Sequence, residues 1–502
     1  MASLSTSEKQ ALAQKHKRVR FGDIAGEGDP DLFSYFLDED YWDTIIQSDK
    51  YFVIGRKGTG KSAIYRFLEH EARSKGYFVS NQDFGNFPFE KLLQLTDDTF
   101  GKPNQYQSIW LNIILNSFVA QVAALDEEGE NDHWKALKQY HSQFGTTLEN
   151  AHKEVVTRTD KKTRGLRLGA ESLSGGFSRE SACETKNVCS PEDNITQVNA
   201  KLQEGLLQYL LTASTEARFI VQFDRLDDNY NTYQQKTSYY QLIISLCKVV
   251  YMLNQSFRQR RLVSARVIVY LRSDIYGALQ KYDAESSRWG DFVYKLNWVV
   301  RNQTDWEWCA LRRMIDKRIE ASGIADKKTF DAIFPPELME RRSEKEDVFK
   351  YIVNRTFHRP RDVIKFCKCL QEEVKQSGMG MLDYASIRNA EKAYAHWFMH
   401  EELKNELNPV LNEKLDAVYR LLKKIGKGTF LFGEFEKTYR EVAGGVMKSA
   451  DDLLRYLYSV GIVQNYDRST NSPKASHRNE EDCDPNLPFQ LFITVIVGLE
   501  LR

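Results

Sequence analysis

The chain carries no excess charge of either sign: 70 Lys and Arg stand against 70 Asp and Glu, a formal net charge of zero over 502 residues. A dedicated nucleic-acid coat shows a basic excess, so whole-chain charge gives such a partner no support, although local basic patches remain open. Cysteine is sparse and unpaired. There are seven, none in a C-x-x-C array, which fits free thiols in a reducing cytoplasm rather than a disulfide framework or a zinc ribbon. Long apolar runs are also lacking. Tyr239 to Leu253 is interrupted by Lys248 and Phe489 to Leu499 is short, whereas a membrane span needs roughly 18–20 apolar residues. Met1 to Arg20 has Lys and Arg but no apolar centre, so it is not a signal peptide. These absences point to a soluble, cytoplasmic protein with no membrane partner.

What is present argues for two or three domains at this length. Residues 1–20 read as a flexible basic arm. Tyr51 to Ile54, Tyr77 to Ser80, Arg218 to Phe223, Ala265 to Leu271 and Val293 to Val299 are short apolar runs that read as strands, with helical patterns between them. Residues from about 126 to 195 turn polar and read as an insertion. After residue 300 the pattern is helical alone, which predicts an α/β core over 21–300 and a helical lid over 301–405. Residues 406–502 follow a pattern of their own: three helices, with Ser449 capping the third, then strands at Ile462 to Tyr466 and Phe489 to Val497 around a polar loop. That is the outline of a winged helix.

Gly55-Arg56-Lys57-Gly58-Thr59-Gly60-Lys61-Ser62 fits G-x-x-x-x-G-K-[ST], between a strand and a helix. Gly55, Gly58 and Gly60 let the backbone turn so that the amides around Thr59 face phosphate oxygens, and the helix that opens through Ala63 adds its positive end. Lys61 bridges the outer phosphates and the Ser62 hydroxyl coordinates magnesium. The metal also needs an acid at a neighbouring strand tip, and Phe219 to Asp224 supplies Asp224. Asp227 or Asp228 would polarise the attacking water; the two are not separable by position. Arg272, at the tip of the next strand, can contact the γ phosphate or lie in a surface turn. Arg359 and Arg361 flank Pro360 at a helix start, where either can read phosphate charge or cap a solvated helix end. His396 and His400 lie one helical turn apart, but no third ligand accompanies them, so they read as helix surface rather than a zinc site. Arg258, Arg260 and Arg261 fit a trans-acting arginine and a basic helix end equally well.

With these residues assembled, the chain resembles the AAA+-like and STAND-like P-loop ATPases of the additional-strand class, and in particular a little-characterised bacterial P-loop ATPase group. The resemblance rests on Phe21-Gly22-Asp23, Val53 to Ala63, Asp224-Arg225-Leu226-Asp227-Asp228, Tyr270 to Tyr276, Arg359-Pro360-Arg361-Asp362 and Leu453 to Tyr466. It implies a three-layer P-loop core with a parallel sheet in the order 5-1-4-3-2, a helical lid and a winged-helix end. It also implies Arg272 as a first sensor and Arg361 as a second. The expectation is an ATP- and Mg2+-dependent switch that assembles with itself or an effector protein, in a setting such as anti-phage defence. Two rivals stand beside it. One is a scaffold that keeps ATP without turnover, suggested by Arg225 where a second acid usually sits. The other is a DNA-remodelling ATPase, opposed by neutral charge and by Asp451 and Asp452 in the third helix of the winged unit.

Overall fold

The computed structural model describes residues 4–85, 106–126, 131–147, 195–213, 216–227 and 236–299, isolated positions between these stretches, and most of 306–500 with short breaks. It forms two compact units: Asp40–Lys57 with Lys61–Leu296, and Met1–Glu39 with Gly58–Gly60 and Asn297–Arg502. The expected division at residue 20 is therefore displaced, since residues 21–39 cluster with the C-terminal unit rather than with the core.

The stretch expected as a flexible arm contains helix α1 (Thr6–Arg18). Its start is a capping box: the Ser5 side chain accepts from the Glu8 amide at 3.3 Å, and the Glu8 carboxylate accepts from the Ser5 amide at 2.7 Å. Ala13 and His16 are fully buried. The His16 Nε2–H donates to the Cys367 carbonyl at 3.3 Å, and the ring packs against Phe21 and Phe334. Burial lowers the His16 pKa to about 4. The folded value lies below the unfolded one of about 6.5, so the unfolded chain takes up the proton first. Stability from this group is complete above that value and is lost as pH falls towards 4, by roughly 3 kcal/mol in total. Accordingly the melting temperature of the wild type should fall between pH 7 and pH 5 by several degrees more than that of His16→Leu, measured by differential scanning fluorimetry; equal falls would refute it.

In the other unit, five parallel strands form one sheet: β1 (Phe52–Gly55), β2 (Phe78–Asp83), β3 (Phe219–Asp224), β4 (Ala265–Arg272) and β5 (Val293–Lys295). They lie in the order β2-β3-β4-β1-β5. Helices on the sheet explain the near-continuous apolar runs, because a parallel sheet is covered on both faces. These helices are α2 (Lys61–Ser74), α3 (Gln107–Ala123), α4 (Asp132–Phe144), α5 (Ile195–Thr212), α6 (Lys236–Gln259) and α7 (Ser273–Tyr282). Helix α3 is buried all round, and apart from the Gln121 Oε1 its buried side-chain amides find partners inside the unit. Asn112 donates to Asn199 at 2.7 Å, Asn199 to the Ser108 carbonyl at 2.7 Å, and Gln121 to the Ile220 carbonyl at 3.2 Å. Gln222, fully buried in β3, donates to the Tyr65 carbonyl and to Asn81 and accepts from Tyr270. Those bonds tie β2, β3, β4 and α2 together just below the Asp224 strand tip. Of the polar insertion, residues 131–147 contain α4, while 154–194 lie outside the described residues.

The C-terminal unit continues with α8 (Ala310–Ser322), α9 (Val348–Asn354), α10 (Pro360–Gln376) and α11 (Tyr384–Trp397), against which α1 docks through α10. It is not helical alone. An antiparallel hairpin, β6 (Glu337–Arg341) and β7 (Glu344–Asp347), precedes α9. Helix α11 runs on as a π-helical turn over Phe398–Leu403 and then α12 (Lys404–Leu411). Helices α13 (Leu415–Ile425), α14 (Phe432–Val442) and α15 (Ala450–Ser459) follow, with Ser449 accepting from the Asp452 amide at the head of α15. Strands β8 (Val463–Asp467), β9 (Ser472–Lys474) and β10 (Phe489–Leu491) form an antiparallel sheet with β8 in the centre. The strand expected over Phe489 to Val497 stops at Leu491, and Ile493–Glu500 is helix α16. Its glycine explains the docking: a Cβ on Gly498 would come within 2.3 Å of Met399, so close approach to α11 and the π turn requires its absence. Short apolar runs do not distinguish a buried strand from a buried helix. Among the described residues no helix is long and apolar enough to cross a membrane.

Candidate nucleotide site

Parallel register aligns the strand tips. Gly55 of β1 lies beside Arg272 of β4, and Asp83 of β2 beside Asp224 of β3. Lys61 is the first residue of α2, and its ammonium turns back to the carbonyls of Gly55 at 3.1 Å and Arg56 at 3.2 Å. Burial pulls the Lys61 pKa below the usual lysine range, against the opposing pull of Asp227 and Asp224. A phosphate oxygen could take the place of those two carbonyls at little cost, since each would recover other partners.

Asp224 is 3% exposed. Its carboxyl accepts from the Ser62 hydroxyl and from the Arg225 amide, yet burial outweighs both and pushes the pKa up to about 7. Its Oδ2 is buried with no hydrogen-bond partner. An orphaned carboxylate oxygen beside a serine hydroxyl at a strand tip is the hard-oxygen donor set that a divalent cation such as Mg2+ takes. The residues present therefore fit the metal. Arg225 turns the chain there with φ +59°, a left-handed conformation uncommon for a residue with a side chain, and its guanidinium pairs with Asp83 at 3.3 Å. That pairing draws Arg225 towards the β2 tip.

Arg272 is bound by two acids: Asp274 through two bonds of 3.0 and 2.7 Å, and Asp227 at 3.7 Å. Asp227 thus stands with Arg272 and within the field of Lys61; Asp228 lies outside the described residues. Asp274 falls inside the Tyr270 to Tyr276 segment, but the sequence assigns it no role of its own. Its spacing of two from Arg272 at a strand-to-helix junction was the available signal.

Gly58 and Gly60 have φ of +79° and +93°, the left-handed region that only glycine enters without strain. Gly58 and Thr59 cluster with the C-terminal unit, and two bonds account for it. The Arg361 amide donates to the Gly58 carbonyl at 3.3 Å, and the Trp298 indole N–H donates to the Thr59 carbonyl at 2.9 Å. The Arg361 stem runs so close that a Cβ on Gly58 would lie 3.1 Å from it. Trp298 was not anticipated, and an isolated tryptophan has no sequence signal that would single it out.

Arg359 and Arg361 part company. Arg361 lies along Gly58, whereas Arg359 is 1% exposed. Asp362 binds the Arg359 guanidinium through two bonds of 2.8 and 2.9 Å, with Glu402 at 3.2 Å and Glu406 at 3.8 Å. With three acids in place, Arg359 is a buried, fully paired cation within the C-terminal unit. His396 and His400 lie with ring centroids 4.3 Å apart and planes tilted by 36°, and no group of three metal-ligating side chains occurs among the described residues.

The chain matches the FunZ-associated C-terminal helical domain family over residues 309–401, the stretch that holds α8 to α11 and both arginines. Among curated proteins it is similar to an 80.3 kDa Escherichia coli (strain K12) protein named for transposon gamma-delta. The identity is 24% over 485 residues, 91% of this chain, and the match spans 63% of that protein's length. Among solved structures it matches Cdc6p from Pyrobaculum aerophilum at 12% identity over 90% of this chain and 88% of that one, with a TM-score of 0.27. VirB4 of Thermoanaerobacter pseudethanolicus matches at 13% identity over 58% and 86%, with a TM-score of 0.19. Both scores are too low for a shared fold to follow.

Proposed function

We propose that the chain is an ATP-binding and ATP-hydrolysing switch dependent on Mg2+. One observation carries the reading: the buried, unpartnered Oδ2 of Asp224, whose carboxyl also accepts from Ser62 one residue beyond the P-loop lysine. Ser62 and Asp224 would hold the cation, which would supply neutralisation of the outer phosphates' charge. The amides of Gly58 to Lys61 would cradle the phosphates and Lys61 would bridge the outer two. Asp227 or Asp228 would orient the attacking water, and Arg272 and Arg361 would read the γ phosphate. Self-assembly or docking of an effector protein is the proposed output, and the α13–α15 helices with the β8–β10 sheet are read as a winged helix. In that helix set Asp451 pairs with Arg455 at 2.8 Å and Asp452 with Ser449, which places two carboxylates at the head of α15, where a DNA phosphate would be repelled.

The test is a nucleotide titration with and without magnesium. Wild type should bind ATP tightly with Mg2+ and about tenfold or more weakly without it, and Asp224→Asn should lose most of that metal dependence. Equal affinity with and without metal in the wild type refutes the assignment. A scaffold that retains ATP would pass this titration but release no phosphate, so a turnover assay separates the two.

A further inference from the structure

Arg361 serves the proposed phosphate site from a confined position, and what confines it is an acid. Its backbone is bonded to Gly58 and its stem lies over that residue. Among the described residues its ion-pair partner is Glu402, at 3.5 Å. The Arg361 Nε is buried and has no hydrogen-bond partner. One long pair and one unused donor make this a poorly satisfied guanidinium, unlike Arg359 beside it.

Glu402 sits on the π-helical turn between α11 and α12, 5% exposed. Single π turns recur at functional sites because the extra residue re-aims a side chain without breaking the helix. Here the turn brings one carboxylate to both arginines, at 3.2 Å from Arg359 and 3.5 Å from Arg361. The cluster holds two cations, Arg359 and Arg361, and three carboxylates, Asp362, Glu402 and Glu406. It is over-supplied with negative charge. Should Arg361 leave, Glu402 keeps Arg359 and no buried carboxylate is stranded, which removes the usual penalty for breaking a buried pair.

We infer that Glu402 limits the preference for a nucleoside triphosphate over a diphosphate by competing with the terminal phosphate for Arg361. The inference rests on the ATP reading above. A γ phosphate carries enough charge to take the arginine from the carboxylate; a diphosphate ends short of it and leaves the pair closed. Glu402 is thus a positioning residue, acting on the ligand through Arg361. Its neutral isostere, Glu402→Gln, leaves two cations facing two carboxylates, a balanced cluster in which Arg359 keeps its two-bond pairing with Asp362.

Fluorescent ATP and ADP analogues with magnesium are titrated into wild type, Glu402→Gln, Arg361→Gln and the double variant. ATP binding should tighten about fivefold in Glu402→Gln, ADP binding should move less than about twofold, and the gain should vanish without Arg361. A purely structural Glu402 would shift both nucleotides together, and that result overturns the inference. So does a gain that survives in the double variant, or no gain in folded protein. Should Glu402→Gln fail to fold, amide exchange in the wild type decides. ATP, but not ADP, should quicken exchange over residues 398–406, and an unchanged rate is refuting. Wild type that binds neither nucleotide removes the ATP reading itself; wild type that binds both while Glu402→Gln leaves their ratio unchanged removes only the role of Glu402.

Discussion

Phosphate release by Lys61→Ala should fall at least ~100-fold below wild type, the magnitude usual for removing one preorganised charge from a developing oxyanion. Its thermal stability without nucleotide should hold or rise. The two signs follow from one fact: burial disfavours the Lys61 ammonium in the folded protein, and the carbonyls of Gly55 and Arg56 are its hydrogen-bond partners. A lysine whose folded pKa lies below its unfolded value works against folding at neutral pH, so deleting it relieves the fold while it disables the chemistry. A buried charge that costs stability and has no role in the fold marks a candidate functional residue. A malachite-green phosphate assay and a melting curve on the same preparation check both halves. Release that persists in the variant at the wild-type rate would end the hydrolase reading, and a drop of several degrees in melting temperature would make Lys61 a structural residue.

The strand, loop and helix around Lys61 were legible in sequence: glycines fall at the φ > 0 positions, with a lysine and a hydroxyl at fixed offsets opening the helix. Asp224 was legible for a related reason, as an acid ending an apolar run, and the register that sets it beside Asp83 then follows from the strands. The chain's start was legible and was misread. Ser5 to Glu8 is a capping box, a local signal of a helix, but a charge-rich helix with a weak apolar stripe gives no sign of where it docks; His16 is buried by Phe21, Phe334 and Cys367, and two of those lie more than 300 residues away. The end of the chain failed for want of period: Phe489 to Leu499 is apolar but for Gln490 and Thr494, and nothing in it marks the change from β10 to α16 at Phe492. Between Arg359 and Arg361 the sequence offered no choice at all. Glu402, which pairs with both, and Glu406, which reaches Arg359, come some forty residues later, on the π turn and on the helix after it.

That separation makes Arg359 the place of the largest expected loss of stability. Replacing it with Ala leaves Asp362, Glu402 and Glu406 around a vacated cationic site; Asp362 is fully buried and Glu402 nearly so. Burial opposes the Arg359 charge, but the acids more than offset it and hold the guanidinium above its ordinary range, so in the folded state they depend on it. Breaking such a buried pair from one side costs about 3–5 kcal/mol, enough to lower the melting temperature of the C-terminal unit by several degrees and to speed its proteolysis. Arg361→Ala removes one pair at 3.5 Å from a side chain 21% exposed, for which a change under about 1 kcal/mol is expected. Nucleotide affinity should order the two variants the other way round: Arg361→Ala folded but weak for ATP, Arg359→Ala unstable but, where it remains folded, close to wild type in its preference for ATP over ADP. Limited proteolysis and nucleotide titration on both variants settle the order. Should Arg359→Ala melt like the wild type and lose ATP selectively, the roles assigned to the two arginines are reversed.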